Sequence, residues 1–258
     1  MNSAFYAADL AYIHDAGYSD FARGAAPWVA RRLARLGRSG TRVVEIGCGS
    51  GALTQSLVMA GHRVAGIDVS RAMIRLARLR APEAGFRVAS WQEFTLPSCD
   101  AIVAVGECFN YLSTDPRAHR KALNVFLRRA GKALRPGGIL LFDFLEPSPG
   151  IPPRRRFHRC GRDWAVVVEV HDRRDLITRH ITSVRLVAGG CRCTEETHRQ
   201  LRLSRARIEQ ALRAAGFAVR FRRGYGRTAL GKGRVVVDAK RADRRVRPES
   251  DSGKPRWR

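Results

Sequence analysis

The run Val43-Val44-Glu45-Ile46-Gly47-Cys48-Gly49-Ser50-Gly51, followed by the apolar stretch Val64-Ala65-Gly66-Ile67-Asp68, constrains this chain more than any other feature. A short apolar strand that runs straight into three alternate glycines must turn sharply. No side chain then stands between the turning backbone and a ligand. Asp68 ends the second apolar strand about twenty residues past the first glycine, where a carboxylate accepts both hydroxyls of a ribose. The two segments read together as a nucleoside-binding crossover between parallel strands.

The spacing narrows the ligand. A dinucleotide site wants G-x-G-x-x-G with a free helix N-terminus for a pyrophosphate, and here the third glycine, Gly51, comes one residue early. Glu45, two residues before Gly47, would repel phosphate and suits a ligand with an amino group or a sulfonium charge. No Gly-Lys-Ser/Thr follows, so the phosphate-binding P-loop fails as well. S-adenosylmethionine is favoured over NAD. Cys48, inside the loop, meets a need for a small side chain.

This E-x-G-x-G-x-G arrangement with a downstream Asp resembles the class I S-adenosylmethionine-dependent methyltransferases, and the resemblance extends over roughly residues 5 to 240. Val88-Ala89-Ser90-Trp91-Gln92-Glu93-Phe94 is similar to the family's adenine-contacting segment, with Ser90 where many members carry an acid. Asp100 to Glu107 resembles the fourth strand and its active-site end, and Leu134-Arg135-Pro136-Gly137-Gly138 through Phe142 the helix stop, turn and fifth strand. The resemblance implies cofactor contacts at Glu45, Gly47, Cys48, Gly49, Gly51, Asp68, Ser90, Trp91 and Gly106, and at Tyr12 in a helical segment that covers the cofactor. Residues 11–22 and Glu195-Glu196-Thr197-His198 are similar to uncharacterised bacterial members and to small-molecule N- or O-methyltransferases.

Composition matters mainly for what it excludes. With 258 residues and 45% hydrophobic side chains, one main globular domain is expected. The N-terminus lacks the regions of a signal peptide and no apolar run approaches a bilayer span, so a cytoplasmic enzyme without a membrane partner is expected. The six cysteines include no C-x-x-C pair, and they read as reduced thiols with no metal site. A net charge of +25 would ordinarily point to nucleic acid. However, 43 of the 48 basic residues are arginines spread along the whole chain, which reads as a compositional bias and a solvated surface rather than a footprint.

The expected architecture is α/β, a Rossmann-like doubly wound sheet of about seven strands with an inserted antiparallel subdomain after the fifth strand. Residues 1–240 form the domain: a helical cover over 1–40, the cofactor-binding core over 41–146, inserted strands over 160–203, and a C-terminal helix with the last strands over 204–240. The cover reads as two helices, the second opening near Pro27. Ser70 caps a helix whose apolar face holds Met73, Leu76, Ala77 and Leu79, another helix runs from about Arg117 to Leu134, and Ser204 caps the last. After the proline-rich break at 146–153, three strand-like runs follow at 164–171, 176–187 and 191–203. Residues 241–258 read as a basic, disordered tail.

Transfer of a methyl group from a sulfonium asks the protein chiefly for positioning. An amine or hydroxyl acceptor is helped by a base, and His198 is the leading candidate, in a row with Thr194, Glu196 and Gln200 by the two-residue strand period. His14 is a second candidate. Glu107 lies just past the fourth strand, at the carboxyl edge where open parallel sheets bind ligands. Gly106-Glu107-Cys108-Phe109 stands where base methyltransferases carry an Asn/Asp/Ser-Pro-Pro-Tyr/Phe clamp, so a small-molecule acceptor is favoured over nucleic acid. An RNA methyltransferase and a non-catalytic cofactor-binding module are the alternatives.

Overall fold

The computed structural model describes residues 5–242. Alternating apolar strands and amphipathic helices build a seven-stranded sheet from β1 (Arg42–Ile46), β2 (Arg63–Asp68), β3 (Gly85–Val88), β4 (Cys99–Ala104), β5 (Leu134–Leu145), β10 (Phe217–Arg222) and β13 (Arg234–Arg241). Their order is β10-β13-β5-β4-β1-β2-β3. β3 through β5 run parallel, and only β13 with its neighbours pairs antiparallel. The order reverses beside β1, which opens a crevice at the carboxyl ends of β1 and β4, the position where such sheets take ligands.

Helices α1 (Ala8–Ala34) and α2 (Ala52–Met59) cover one face, where Trp28, Val29, Leu33, Leu53 and Leu57 pack on Val43, Val103 and Leu141. Helix α3 (Arg71–Arg80) sits beside them. Helices α4 (Pro116–Ala133) and α5 (Arg205–Ala214) bury Phe126, Leu127, Ile208 and Leu212 against the other face. Both faces of β4 and the centre of β5 are therefore buried, and their sequences are continuous apolar runs.

Three helix ends follow the expected chemistry. Ser70 Oγ accepts from the Met73 N–H (3.1 Å), Asp115 accepts from the Arg117 and Ala118 N–H groups, and Ser204 caps α5. The cover departs from expectation, because α1 is one helix that contains Pro27. Burial of Ala25, Ala26, Trp28 and Val29 on the sheet face holds the helix through the missing hydrogen bond. Leu79 is also exposed, at 82%; α3 buries Met73, Ile74 and Ala77, one helical turn of stripe rather than two.

The insertion is a four-stranded meander of β6 (Arg154–Cys160), β7 (Trp164–Arg173), β8 (Leu176–Val187) and β9 (Gly190–Leu201). β6 was not expected, since its arginine-rich sequence Arg-Arg-Arg-Phe-His-Arg-Cys lies almost wholly exposed on the edge and shows no apolar alternation. One face of the meander carries Trp164, Val166, Val168, Val170, Ile177 and Ile181, which pack against Leu10 and Ile13 of α1. Gly17 lies under the Trp164 indole, where a Cβ would come within 2.7 Å of the ring. A two-residue hairpin, β11 (Gly224–Tyr225) with β12 (Thr228–Ala229), drives the Tyr225 ring beneath Trp28. The basic tail expected at 241–258 falls outside the described residues except for its first two, and Arg241 is the last residue of β13.

Candidate active site

The glycine loop joins β1 to α2. Gly49 has φ of 54°, and a Cβ there would meet nothing within 4 Å, so this backbone faces open space. Gly51, at φ 79°, caps α2, and a Cβ would approach the Ala77 backbone at 3.1 Å. Asp68 braces the loop from the end of β2: Oδ2 accepts from the Gly49 N–H (3.0 Å) and Oδ1 from the Ser70 N–H (2.8 Å). Cys48 donates its N–H to the Ile67 carbonyl and is buried. Glu45, Gly47, Cys48, Gly49, Gly51 and Asp68 thus converge as the sequence implies.

Glu45 is buried, and one oxygen accepts from the Thr54 hydroxyl at 2.6 Å. Burial pushes its carboxyl up to about 8, with the Thr54 hydrogen bond opposing and the nearby Asp68 charge adding. Burial likewise raises Asp68, against the backbone N–H groups that favour its ionised form. No basic side chain pairs with either acid among the described residues, although Asp9, Asp15, Asp100, Glu107, Asp143, Asp172 and Asp238 all hold arginines. Two desolvated carboxylates on an open glycine loop fit a ligand with a ribose and a cationic end.

Ser90 follows β3 and turns the chain there, accepting the Glu93 and Phe94 N–H groups on its carbonyl. Trp91 needs correction: its ring is buried in the core against Phe109, His119 and Phe126. Apolar area of that size is held by the core rather than offered to a ligand. Tyr12 also lies elsewhere. Its hydroxyl donates to Asp163 (2.8 Å), and the Arg185 guanidinium covers its ring at 3.6 Å, so it fastens α1 to the insertion. The tyrosine that reaches the end of β2 is Tyr6, whose carbonyl accepts from Ser70 Oγ, two residues past Asp68, at 2.7 Å.

Beside Asp68 stands an aromatic and polar cluster. Tyr6 and Tyr111 share a hydroxyl contact of 2.7 Å, and both rings, with Phe5, surround His198. His198 is 1% exposed; Nε2 meets Glu196 Oε2 at 2.8 Å, which makes Nε2 the donor and leaves Nδ1 as the lone-pair nitrogen. That Nδ1 is buried and has no partner among the described residues, and the same holds for His14 Nδ1 and the Gln200 amide. Burial pushes the His14 imidazole down, so it is neutral. Burial also raises both phenols, Tyr111 to about 12, and they serve as neutral donors. Glu196 additionally accepts the Tyr6 and Ala7 N–H groups at the start of α1, both at 2.8 Å.

Gly106 and Glu107 lie just past β4 as expected, and their N–H groups donate to Asp143 (2.8 and 3.0 Å). Glu107 departs from the role of a free base. Burial pushes its carboxyl up, but the Arg234 and Arg179 guanidiniums more than reverse this and hold it below the usual range. It is a fixed anion with φ of 45°, a left-handed conformation that costs a non-glycine residue about 1–3 kcal/mol.

Asp143 went unnoticed in the sequence, although a charged residue inside Ile139-Leu140-Leu141-Phe142-Asp143-Phe144 is a visible anomaly in a strand buried on both faces. Arg179 and Arg234 gave no signal among 43 arginines. Tyr6 carries no motif, and its place depends on the path of the chain before α1.

A methyltransferase domain model matches residues 43–138. Ubiquinone biosynthesis O-methyltransferases from Methylobacterium sp. and Azorhizobium caulinodans are 35% and 33% identical over 131 and 118 residues, which covers 50% and 45% of this chain and 48% and 44% of theirs. The chain spans about half the length of these curated relatives. A solved S-adenosylmethionine-dependent methyltransferase from Clostridium acetobutylicum superposes with a TM-score of 0.76 at 15% identity, over 90% of this chain and 97% of that one. An amino pentose methyltransferase from Micromonospora echinaspora does so at 0.72 and 21%, over 94% and 100%. A sugar N-methyltransferase from Streptoalloteichus gives 0.74 and 20%, over 94% and 95%. The methyltransferase domain match over residues 43–138, which includes the glycine loop, and a fold shared over nearly the whole length with solved S-adenosylmethionine-dependent methyltransferases agree with the local geometry.

Proposed function

We propose that the protein transfers the methyl group of S-adenosylmethionine to a nitrogen or oxygen of a small-molecule acceptor. The reading is supported by Glu45 in β1 and Asp68 at the end of β2, two desolvated acids that flank the glycine loop and have no basic partner among the described residues. Asp68 would hold the ribose hydroxyls, Glu45 the cationic end, and the Gly49 backbone the flank of the nucleoside. When bound, the cofactor supplies a sulfonium methyl group open to in-line displacement. The phenols of Tyr6 and Tyr111 orient an acceptor, His198 Nδ1 takes its proton, and the surrounding rings exclude water. Relatives named for O-methylation and neighbours named for sugar N-methylation support a small-molecule acceptor of either kind. RNA is not favoured as acceptor, because Gly106-Glu107-Cys108-Phe109 stands where base methyltransferases carry their clamp.

Incubation with methyl-labelled S-adenosylmethionine and fractionated metabolites, RNA and protein tests the reading. Label in the metabolite fraction is the expected result; label confined to RNA or protein overturns it, and binding without transfer to any fraction points to a non-catalytic module. Asp68→Ala is expected to weaken S-adenosylhomocysteine by at least tenfold in calorimetry, for the loss of charge-assisted hydrogen bonds worth on the order of 1.5 to 3 kcal/mol. Unchanged affinity would sink the cofactor assignment.

Glu45 adds a pH test. With its carboxyl near 8 in the free protein, it is protonated at pH 7. A cationic ligand favours the ionised form, so binding at pH 7 should release a proton and affinity should rise from pH 6.5 to 8, then level off. Calorimetry in two buffers of different ionisation enthalpy reads that release. Its persistence in Glu45→Gln would contradict the role.

A further inference from the structure

A cavity of about 320 Å³ opens beyond the aromatic side chains around His198, at the end of β5. Its walls combine Leu145, Ile151, Pro152 and Ile177 with four basic side chains, Arg155, Arg179, Arg202 and Lys232. From this cavity we infer an oxyanion subsite of the acceptor pocket: the acceptor carries a carboxylate or phosphate next to an apolar body, and these cations hold it.

The charges within the cluster do not cancel. Asp172 serves both Arg155 (3.3 Å) and Arg202 (2.5 Å). Glu107 is shared between Arg179, at 3.6 Å, and Arg234, which also holds Asp143. Five basic side chains, with Lys232, thus share three carboxylates. Arg179 makes no closer polar contact than that 3.6 Å pair among the described residues, so its guanidinium donors remain available to the cavity. Lys232 forms no ion pair among the described residues and reaches over Gly150, whose added Cβ would lie 2.9 Å from Nζ. Cations of this density in a partly desolvated wall are held apart at an electrostatic cost that a bound oxyanion would relieve.

The neighbouring geometry ties the cavity to the reaction. Arg179 interacts with Tyr6, Tyr111 and Glu107 as well as lining the cavity, so one residue belongs to both spaces. The wall is rigid. Asn110 donates to the Leu145 and Leu201 carbonyls (3.0 and 2.7 Å), and Arg202 donates to the Glu146 carbonyl (2.8 Å). An anion anchored there would extend its apolar body along Ile151 and Ile177 and present its nucleophile toward His198. The inference rests on the acceptor reading above.

The probes are benzoate, phenyl phosphate and the neutral isostere benzamide, titrated by calorimetry into the protein saturated with S-adenosylhomocysteine. The anions are expected to bind at least tenfold tighter than benzamide and to weaken as salt rises from 50 to 500 mM. The tighter of the two identifies the preferred oxyanion. Lys232→Glu, an exposed position that leaves the fold intact, should weaken the anion at least tenfold, and Lys232→Arg should retain it. Equal binding of benzamide and benzoate, or unchanged affinity in Lys232→Glu, overturns the subsite. S-adenosylhomocysteine affinity in the same samples reports separately on the cofactor reading, so either can fail without the other.

Discussion

Asp143→Ala is expected to destabilise the protein by on the order of 3–5 kcal/mol, the largest stability effect of any single substitution considered. Asp143 is fully buried and accepts from the Gly106 and Glu107 N–H groups, the Tyr225 hydroxyl (2.6 Å) and Arg234 Nε (2.5 Å). Its removal leaves a desolvated guanidinium facing only Glu107 and orphans three further donors. Asp143→Asn keeps the shape and part of the hydrogen bonding, so it should fall between alanine and wild type. Urea denaturation with a common m-value measures the series. A loss under 1 kcal/mol for alanine would mean that Arg234 does not depend on this carboxylate.

His198→Ala is expected to lower turnover by roughly 100-fold, about 2.7 kcal/mol of barrier, while S-adenosylhomocysteine affinity changes by less than twofold. The expectation comes from one imidazole with a carboxylate on Nε2 and a buried Nδ1 that has no partner among the described residues, beside two phenols, the arrangement by which a carboxylate orients a histidine base. Added imidazole should restore part of the rate in the alanine variant, a response that lost packing alone would not give. Normal turnover in His198→Ala would remove the base role and leave positioning as the mechanism. Glu196→Gln acts on the same axis from behind: its single amide oxygen retains an acceptor for the Ala7 N–H and loses the one shared by the Tyr6 N–H and His198, so a loss of rate larger than the loss of stability explains would report on the orientation of His198.

The glycine loop was legible because it is local. Gly47, Gly49 and Gly51 lie in one turn after β1, and backbone sterics leave few conformations for such a run. The acceptor half was legible only in fragments. His198 and Glu107 were singled out by residue type, yet 91 residues of chain separate them, and what each does is set by neighbours from elsewhere in the chain. Glu107 reads as a base until Arg179 and Arg234 are seen against it. Tyr12 reads as a cofactor contact until α1 is seen to turn it toward Asp163.

The amino-acid sequence by itself determined the doubly wound sheet, the glycine loop, the capped helices and the antiparallel character of the insertion, since hydrophobic period, turn residues and caps act over a few neighbouring residues. Only the tertiary structure decided which arginines neutralise which acids, that Tyr6 rather than Tyr12 meets Ser70 beside Asp68, that Trp91 belongs to the core, and that a cationic cavity lies beside Arg179. Those outcomes depend on distances between residues far apart in the chain. In a protein with 43 arginines, composition says that ion pairs will form, and only the packing of distant segments against one another selects the partners.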